Sequence, residues 1–430
     1  LIFLIRMLSS RGLSLLNLPD LSFNLTTAHS NPFHSQHNPT GIINLGTAEN
    51  RVCEKEVSKK LEEFRLTPDG NRWLQRYAGI GGVEGTKSCL ISHFNSILSS
   101  SISMDHSILL HSITAAYDVI AHLVCDPNDF ILTPSPFYAR VRTDCGERSE
   151  CRVKGVPLDM TNPCLDVAHF EREFDRWNGK GGMVRALIIM NPHNPLGNIY
   201  EKEEIIKLCE WAMSKNLFII FDEILSGIIY SEEDNKYFPS ILNILPFISK
   251  PELIVWMSSL SKDIGIPGVR TSLLHTYSHA LLHSLIRLEA LADVPAPDQL
   301  IVQHLLKDRD WISSLFSAAR KRLFSHSQFV ISSLLSIDVH CIPPKAGITL
   351  MADFSKYLPS QSPEEEDAFH LKMVHIGVIL TKGGPTHSPS PGWFRIAFGV
   401  SKEELELGMN RIIEQLVPGR KLKKKVTYNS

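Results

Sequence analysis

Several signals are missing from this chain, and each absence removes a class of function. Its eight cysteines are scattered and no two stand as C-x-x-C; with no export signal, reduced thiols in a cytoplasmic protein are expected. No apolar run reaches the ~18 residues that a membrane-spanning helix needs, and the opening "LIFLIR" is too short for the apolar region of a signal peptide. An excess of one charge is missing too. The formal net charge of −2 gives no reason to expect nucleic acid or an anionic membrane as a partner. Neither G-x-S-x-G nor H-E-x-x-H occurs, and the 18 histidines show no metal-ligand spacing, so no metal is expected. "GGVEGTKS" (81–88) resembles a P-loop only superficially, because Lys87 does not directly follow Gly85.

What is present is an ordinary globular composition, 43% hydrophobic and 21% charged over 430 residues, enough for a large core divided between two domains. Three short apolar runs bounded by polar or turn residues read as buried strands: "VRALIIM" (184–190), "LFIIF" (217–221) and "LIVWM" (253–257). Between the first two, residues 201–216 place Ile205, Leu208, Cys209 and Ala212 on one helical face, with glutamates in the first turn. Alternating strand and helix predicts an α/β fold with a mostly parallel sheet covered by helices.

After about residue 300 the pattern changes to a long helix from Trp311 to about Leu335, followed by "ITLMADF" (348–354), "GVIL" (377–380) and "FRIAFG" (394–399). That predicts a smaller α+β unit, in which the acidic run from Glu364 to Asp367 opens a helix. The expected division is an N-terminal segment 1–60 packing with the small domain, a large domain 61–300, a small domain 301–418 and a solvated basic tail 419–430.

In α/β sheets, ligands sit beyond the carboxyl ends of the strands. Here those ends run into "NPHNPLG" (191–197), Asp222-Glu223 and "SSLSKDIGIPGVR" (258–270). An amide, a carboxylate and a lysine therefore converge on one rim.

In this order, the blocks "GIINLGTAEN" (41–50), "LTPSPFY" (132–138), "NPHNPLG", "DEI" (222–224), "SLSKDIGIPGVR" (259–270), "LLKDRDW" (305–311) and "PGWFR" (391–395) resemble the class I/II aminotransferases. These are fold-type I enzymes that use pyridoxal 5′-phosphate. The likeness is greatest to 1-aminocyclopropane-1-carboxylate synthase and its animal synthase-like proteins, and it covers roughly residues 38 to 415.

The resemblance assigns roles. It implies that Lys262 forms the Schiff base with the cofactor aldehyde and then moves protons on the substrate carbon; such an amine must be unprotonated. The dianionic phosphate would be held by Ser259, Arg270 and secondarily Ser261, with Thr114, Ala115 and Ala116 at a helix N-terminus. Asp222 would pair with the ring nitrogen, Asn194 with the phenolic oxygen, and Tyr138 would stack on the ring. Arg395 would clamp the substrate α-carboxylate. Glu49 would favour a cationic substrate such as S-adenosylmethionine, and Tyr77 would cross into the site of a second subunit of a homodimer.

The pattern breaks in places. The family's tyrosine after "DEI" is Leu225, His111-Ser112 replace the usual glycine of the phosphate cup, and Tyr117 replaces an asparagine. The expected function is therefore amino-acid chemistry, by transamination or elimination, in preference to ring closure. The alternative is a catalytically degenerate relative that keeps the cofactor as a binding scaffold.

Overall fold

In a computed structural model of the chain, residues 8–16, 22–79 and 81–420 are described; most of the basic tail, 421–430, lies outside them. The strands, in chain order, are β1 (Ile43–Asn44), β2 (Ser107–Leu110), β3 (Phe130–Ser135), β4 (Arg152–Pro157), β5 (Val184–Met190), β6 (Phe218–Asp222) and β7 (Ile254–Ser259). They continue with β8 (Ser272–Thr276), β9 (His340–Cys341), β10 (Thr349–Asp353), β11 (Val378–Ile379), β12 (Thr381–Lys382) and β13 (Trp393–Ala397). Five helices matter below: α1 (Ile113–Val124), α2 (Lys202–Ser214), α3 (Leu260–Asp263), α4 (Arg309–Leu335) and α5 (Pro363–His375).

Seven strands form one sheet in the order β2-β8-β7-β6-β5-β3-β4. Strands β7, β6, β5, β3 and β4 pair in parallel out to the β4 edge, while β8 runs antiparallel to both of its neighbours, so the sheet is mixed and mostly parallel. The expected α/β class is the observed one. The three apolar runs became β5, β6 and β7 because helices cover both sheet faces and leave no wet side to favour alternation. Each fully enclosed Ile, Leu or Val of these strands contributes ~1.5–3 kcal/mol of transfer free energy.

The second unit contains a four-stranded antiparallel sheet, β12-β13-β10-β9, and the short parallel pair β1-β11. The acidic run opens α5, where Ser362 caps the first turn and Glu364 to Glu366 meet the positive end of the helix. Apolar packing changes over inside α4, not at residue 300. Ile312, Leu315, Phe316 and Ala319 join the core of the large sheet, whereas Leu323, Phe329, Val330 and Leu334 join the core of the smaller one. The N-terminal segment divides likewise: Ile43 and Leu45 pack with the smaller sheet, Cys53 and Val57 with the larger.

Candidate active site at the ends of the central strands

Register brings the rim together. Met190 pairs with Asp222 and Asp222 with Met257, so β5 and β6 end level with each other and β7 runs two residues further. The connections are tied at the same height: Asn191 donates its N–H to the Asp222 carbonyl, and Glu223 donates to that of Met257. Beyond β7, Ser259 caps α3 by accepting the Ser261 N–H, and the single helical turn presents Lys262. Gly265 closes that turn at φ +82°, where a Cβ would lie 2.2 Å from the Asn50 carbonyl oxygen. Only glycine fits there, and the fit lets Asn50 donate its side-chain amide to the Lys262 carbonyl at 2.8 Å.

Lys262 Nζ donates to the Ala48 carbonyl at 2.6 Å. Burial, with a further push from the Arg395 charge, brings its ammonium down to about 8, so the neutral amine is accessible near neutrality. Glu49 and Asp222 pull the other way, which places both carboxylates in its electrostatic reach. Asp222 is buried; Oδ2 accepts from the Tyr117 hydroxyl at 2.8 Å and Oδ1 from the Ile224 N–H at 3.0 Å. Burial raises it to about 6 despite those two donors and the Lys262 charge.

Strand β13 carries Arg395, which is buried and whose hydrogen-bond partners are neutral oxygens. Its Nη2 donates to the Gly46 carbonyl at 2.8 Å, its Nη1 approaches Asn194 Oδ1 at 3.4 Å, and its Nε has no partner. Burial lowers its proton affinity. Tyr138 is half-buried beside this group, and burial, with Asp144, raises its phenol to about 12. The structure thus brings Lys262, Asp222, Asn194, Tyr138 and Arg395 to one place.

The expected anion-binding residues are less uniform. Ser259 is buried and donates to the Thr271 carbonyl at 2.8 Å; Ser261 is buried next to it. Arg270 is exposed and donates to the Pro267 carbonyl at 3.0 Å. In the first turn of α1, the Ala115 N–H is taken by Ser112 Oγ at 3.1 Å and the Ala116 N–H by the Ser112 carbonyl at 3.0 Å. Thr114 Oγ1 donates to Asp144 Oδ2 at 3.2 Å. Glu49 is half-exposed, 3.9 Å from Arg51, and Tyr77 is fully exposed, so neither is enclosed by the site of its own chain.

Sequence reading gave no role to Tyr117, to the Gly46 and Ala48 carbonyls, or to Thr271, whose buried hydroxyl has no partner. Thr271 directly follows Arg270 and was findable as a hydroxyl beside a cationic group. The carbonyl contacts had no sequence signal, because every residue carries a carbonyl. Leu225 points into the apolar cluster of the smaller unit, 3.2 Å from where a Cβ of Gly347 would stand. The eight cysteines are free thiols, and no group of His, Cys, Asp and Glu among the described residues could hold a metal ion.

A lysine on the turn after one strand, an enclosed aspartate ending its neighbour and a buried arginine within electrostatic reach of the lysine fit a site for an amine-reactive cofactor. The family model for aminotransferase class I and II matches residues 40–412, and the chain belongs to that family, whose members use pyridoxal 5′-phosphate. It is 30% identical over 397 residues to 1-aminocyclopropane-1-carboxylate synthase-like protein 1 of Takifugu rubripes, covering 89% of this chain and 63% of that one. It therefore spans less than two thirds of that relative. To 1-aminocyclopropane-1-carboxylate synthase CMA101 of Cucurbita maxima it is 26% identical, with 89% and 84% covered. In fold it is similar to a Thermus thermophilus aspartate aminotransferase double mutant, with a TM-score of 0.76 at 17% identity over 95% of this chain and 99% of the other.

The residues present fit pyridoxal phosphate. A weakly basic amine, an ionisable buried carboxylate, an unpaired buried guanidinium Nε and an unpaired Thr271 hydroxyl are the donors and acceptors such a molecule and an amino acid would satisfy. Leu225 offers no donor.

Proposed function

We propose that this protein is a pyridoxal-phosphate-dependent enzyme acting on an α-amino acid, by transamination or elimination, with Lys262 as the covalent anchor and the catalytic base. The observation that carries this reading is the Lys262 amine, hydrogen-bonded to a neutral carbonyl and held near a pKa of about 8 by burial.

When bound, the cofactor supplies an aldehyde carbon for the amine and a ring that withdraws electrons from the substrate carbon. The chain supplies the rest. Asp222 holds an ionised oxygen for the ring nitrogen, Asn194 an amide for the phenolic oxygen, and Tyr138 a ring face. Ser259, Ser261, Arg270 and Thr114 would hold the phosphate, while the Ala115 and Ala116 N–H groups, already taken by Ser112, would have to exchange partners to join them. Arg395, whose Nε has no partner, would receive the substrate carboxylate and so hold the substrate near Lys262. Lys262 takes the α-proton and returns it elsewhere.

A homodimer, with Tyr77 completing the neighbouring site, is supported by the full exposure of that aromatic side chain. Glu49, within electrostatic reach of Lys262, supports a cationic substrate of the S-adenosylmethionine type as a narrower choice. A cytoplasmic location agrees with the free thiols. No described helix is long and apolar enough to cross a membrane.

A second reading, a scaffold that keeps the cofactor without turnover, is favoured by one observation: Leu225 lies in an apolar cluster where the family pattern has a phenol. Borohydride reduction followed by peptide mass mapping tests the first reading. A pyridoxyl group on Lys262, and an absorption band that shifts when amino acids are added, support the enzyme. A Lys262 adduct whose band ignores every amino acid supports the scaffold, and no adduct at Lys262 overturns both.

A further inference from the structure

Helix α1 contributes to the site twice. Its first turn, Thr114–Ala116, is the proposed phosphate cup, and the next residue, Tyr117, turns inward. Tyr117 is 1% exposed, and its hydroxyl donates to Asp222 Oδ2 at 2.8 Å across 105 residues of sequence. With the Ile224 N–H on Oδ1 at 3.0 Å, both carboxylate oxygens are held, so the plane of the carboxylate is fixed. The donor that Leu225 does not supply on one side of the strand end is thus present on the other, aimed at the carboxylate.

We propose that Tyr117 is a positioning residue that fixes the Asp222 carboxylate and keeps it ionised for the ring nitrogen of the bound cofactor. This rests on the reading of the site as a pyridoxal phosphate site. A hydrogen bond to an ionised oxygen favours the ionised form, and burial opposes it. The titratable groups around Asp222 are Tyr117 from α1, Lys262 from α3, Tyr138 from the loop after β3, and Glu223 beside it in sequence. Of these, Tyr117 and Lys262 favour the charged carboxylate, and only Tyr117 donates a hydrogen bond to it. Remove that donor and Asp222 moves upward from about 6 into the neutral range, leaving a carboxylic acid where the ring nitrogen needs an anion.

The test uses the full chain carrying Tyr117→Phe, which keeps the ring and loses the hydroxyl. Thermal unfolding establishes that the variant is folded. Affinity for pyridoxal phosphate is then measured from pH 6 to 9 by absorbance, with borohydride capture at Lys262 as the occupancy check. The expected result is about tenfold weaker binding at pH 7, with the loss shrinking as pH rises and Asp222 ionises again. A carbocyclic analogue that lacks the ring nitrogen should bind wild type and Tyr117→Phe equally. An unchanged affinity and pH profile in Tyr117→Phe overturns the inference, as does an equal loss with the carbocyclic analogue, because either would leave Tyr117 a packing residue only. A variant that fails to fold is replaced by Tyr117→Leu, which also lacks the donor to Asp222; unchanged binding across the pH range overturns the inference there too. Should wild type itself take no cofactor at Lys262, the underlying reading falls and this inference with it.

Discussion

Lys262 Nζ and the Ala48 carbonyl oxygen are joined by a hydrogen bond of 2.6 Å, and two residues earlier the Gly46 carbonyl accepts from Arg395 Nη2 at 2.8 Å. The loop just after β1 thus holds Lys262 and Arg395 through neutral oxygens. Leu45 accepts the Ala397 N–H and donates to the Ile379 carbonyl, and the Arg51 N–H bonds to the Gly399 carbonyl, which stitches this segment to the smaller unit. The site is therefore assembled from the large sheet and from strands that pack with the smaller one.

Because burial holds the Lys262 ammonium near about 8, below the usual lysine range, the reactive neutral amine grows as pH rises toward that value. The rate of cofactor capture by apoprotein should rise about tenfold per pH unit below 8 and level off above it. Stopped-flow absorbance checks this. A rate flat from pH 6 to 8 would mean that the amine is already neutral.

Arg395→Lys keeps the charge and loses the two-pronged geometry. Amino-acid affinity, read from the spectral titration, should fall about 100-fold, while cofactor attachment at Lys262 stays intact. Equal loss of both would move Arg395 from substrate binding to structural support.

Leu225→Tyr would restore the residue of the family pattern, yet the side chain is buried in an apolar cluster next to Gly347. Overpacking should destabilise the chain by about 1–3 kcal/mol. Denaturant unfolding measures this, and a stability equal to wild type would show that the phenol has room to turn outward.

Glu366 is buried, and its two oxygens accept the N–H groups of Gly384 and Gly392, closing the loop just before Arg395. Glu366→Gln turns an amide toward one of those N–H groups and should cost about 1–3 kcal/mol. Thermal unfolding and the amino-acid titration should both report it, the second because Arg395 follows the loop by three residues. An unchanged melting temperature would contradict the clamp.

Tyr77→Ala and Lys262→Ala should each abolish the amino-acid-dependent spectral change on their own. If subunits share sites, mixing and refolding the two should restore roughly a quarter of the wild-type signal, since half of the dimers are mixed and each has one intact site. No recovery after verified exchange would assign Tyr77 to its own chain.

Sequence alone determined the strand-helix alternation, the three strands that end at the site and the lysine turn beyond β7. These are local properties: apolar runs, capping serines and a glycine that must take a positive φ write themselves into neighbouring residues. Tertiary structure decided what distant residues do to one another. The pairing of Tyr117 with Asp222, the carbonyls beneath Lys262 and Arg395, the turn of Leu225 into the smaller core and the hand-over of packing inside α4 depend on how sheets and helices close together, and no local pattern records that closure.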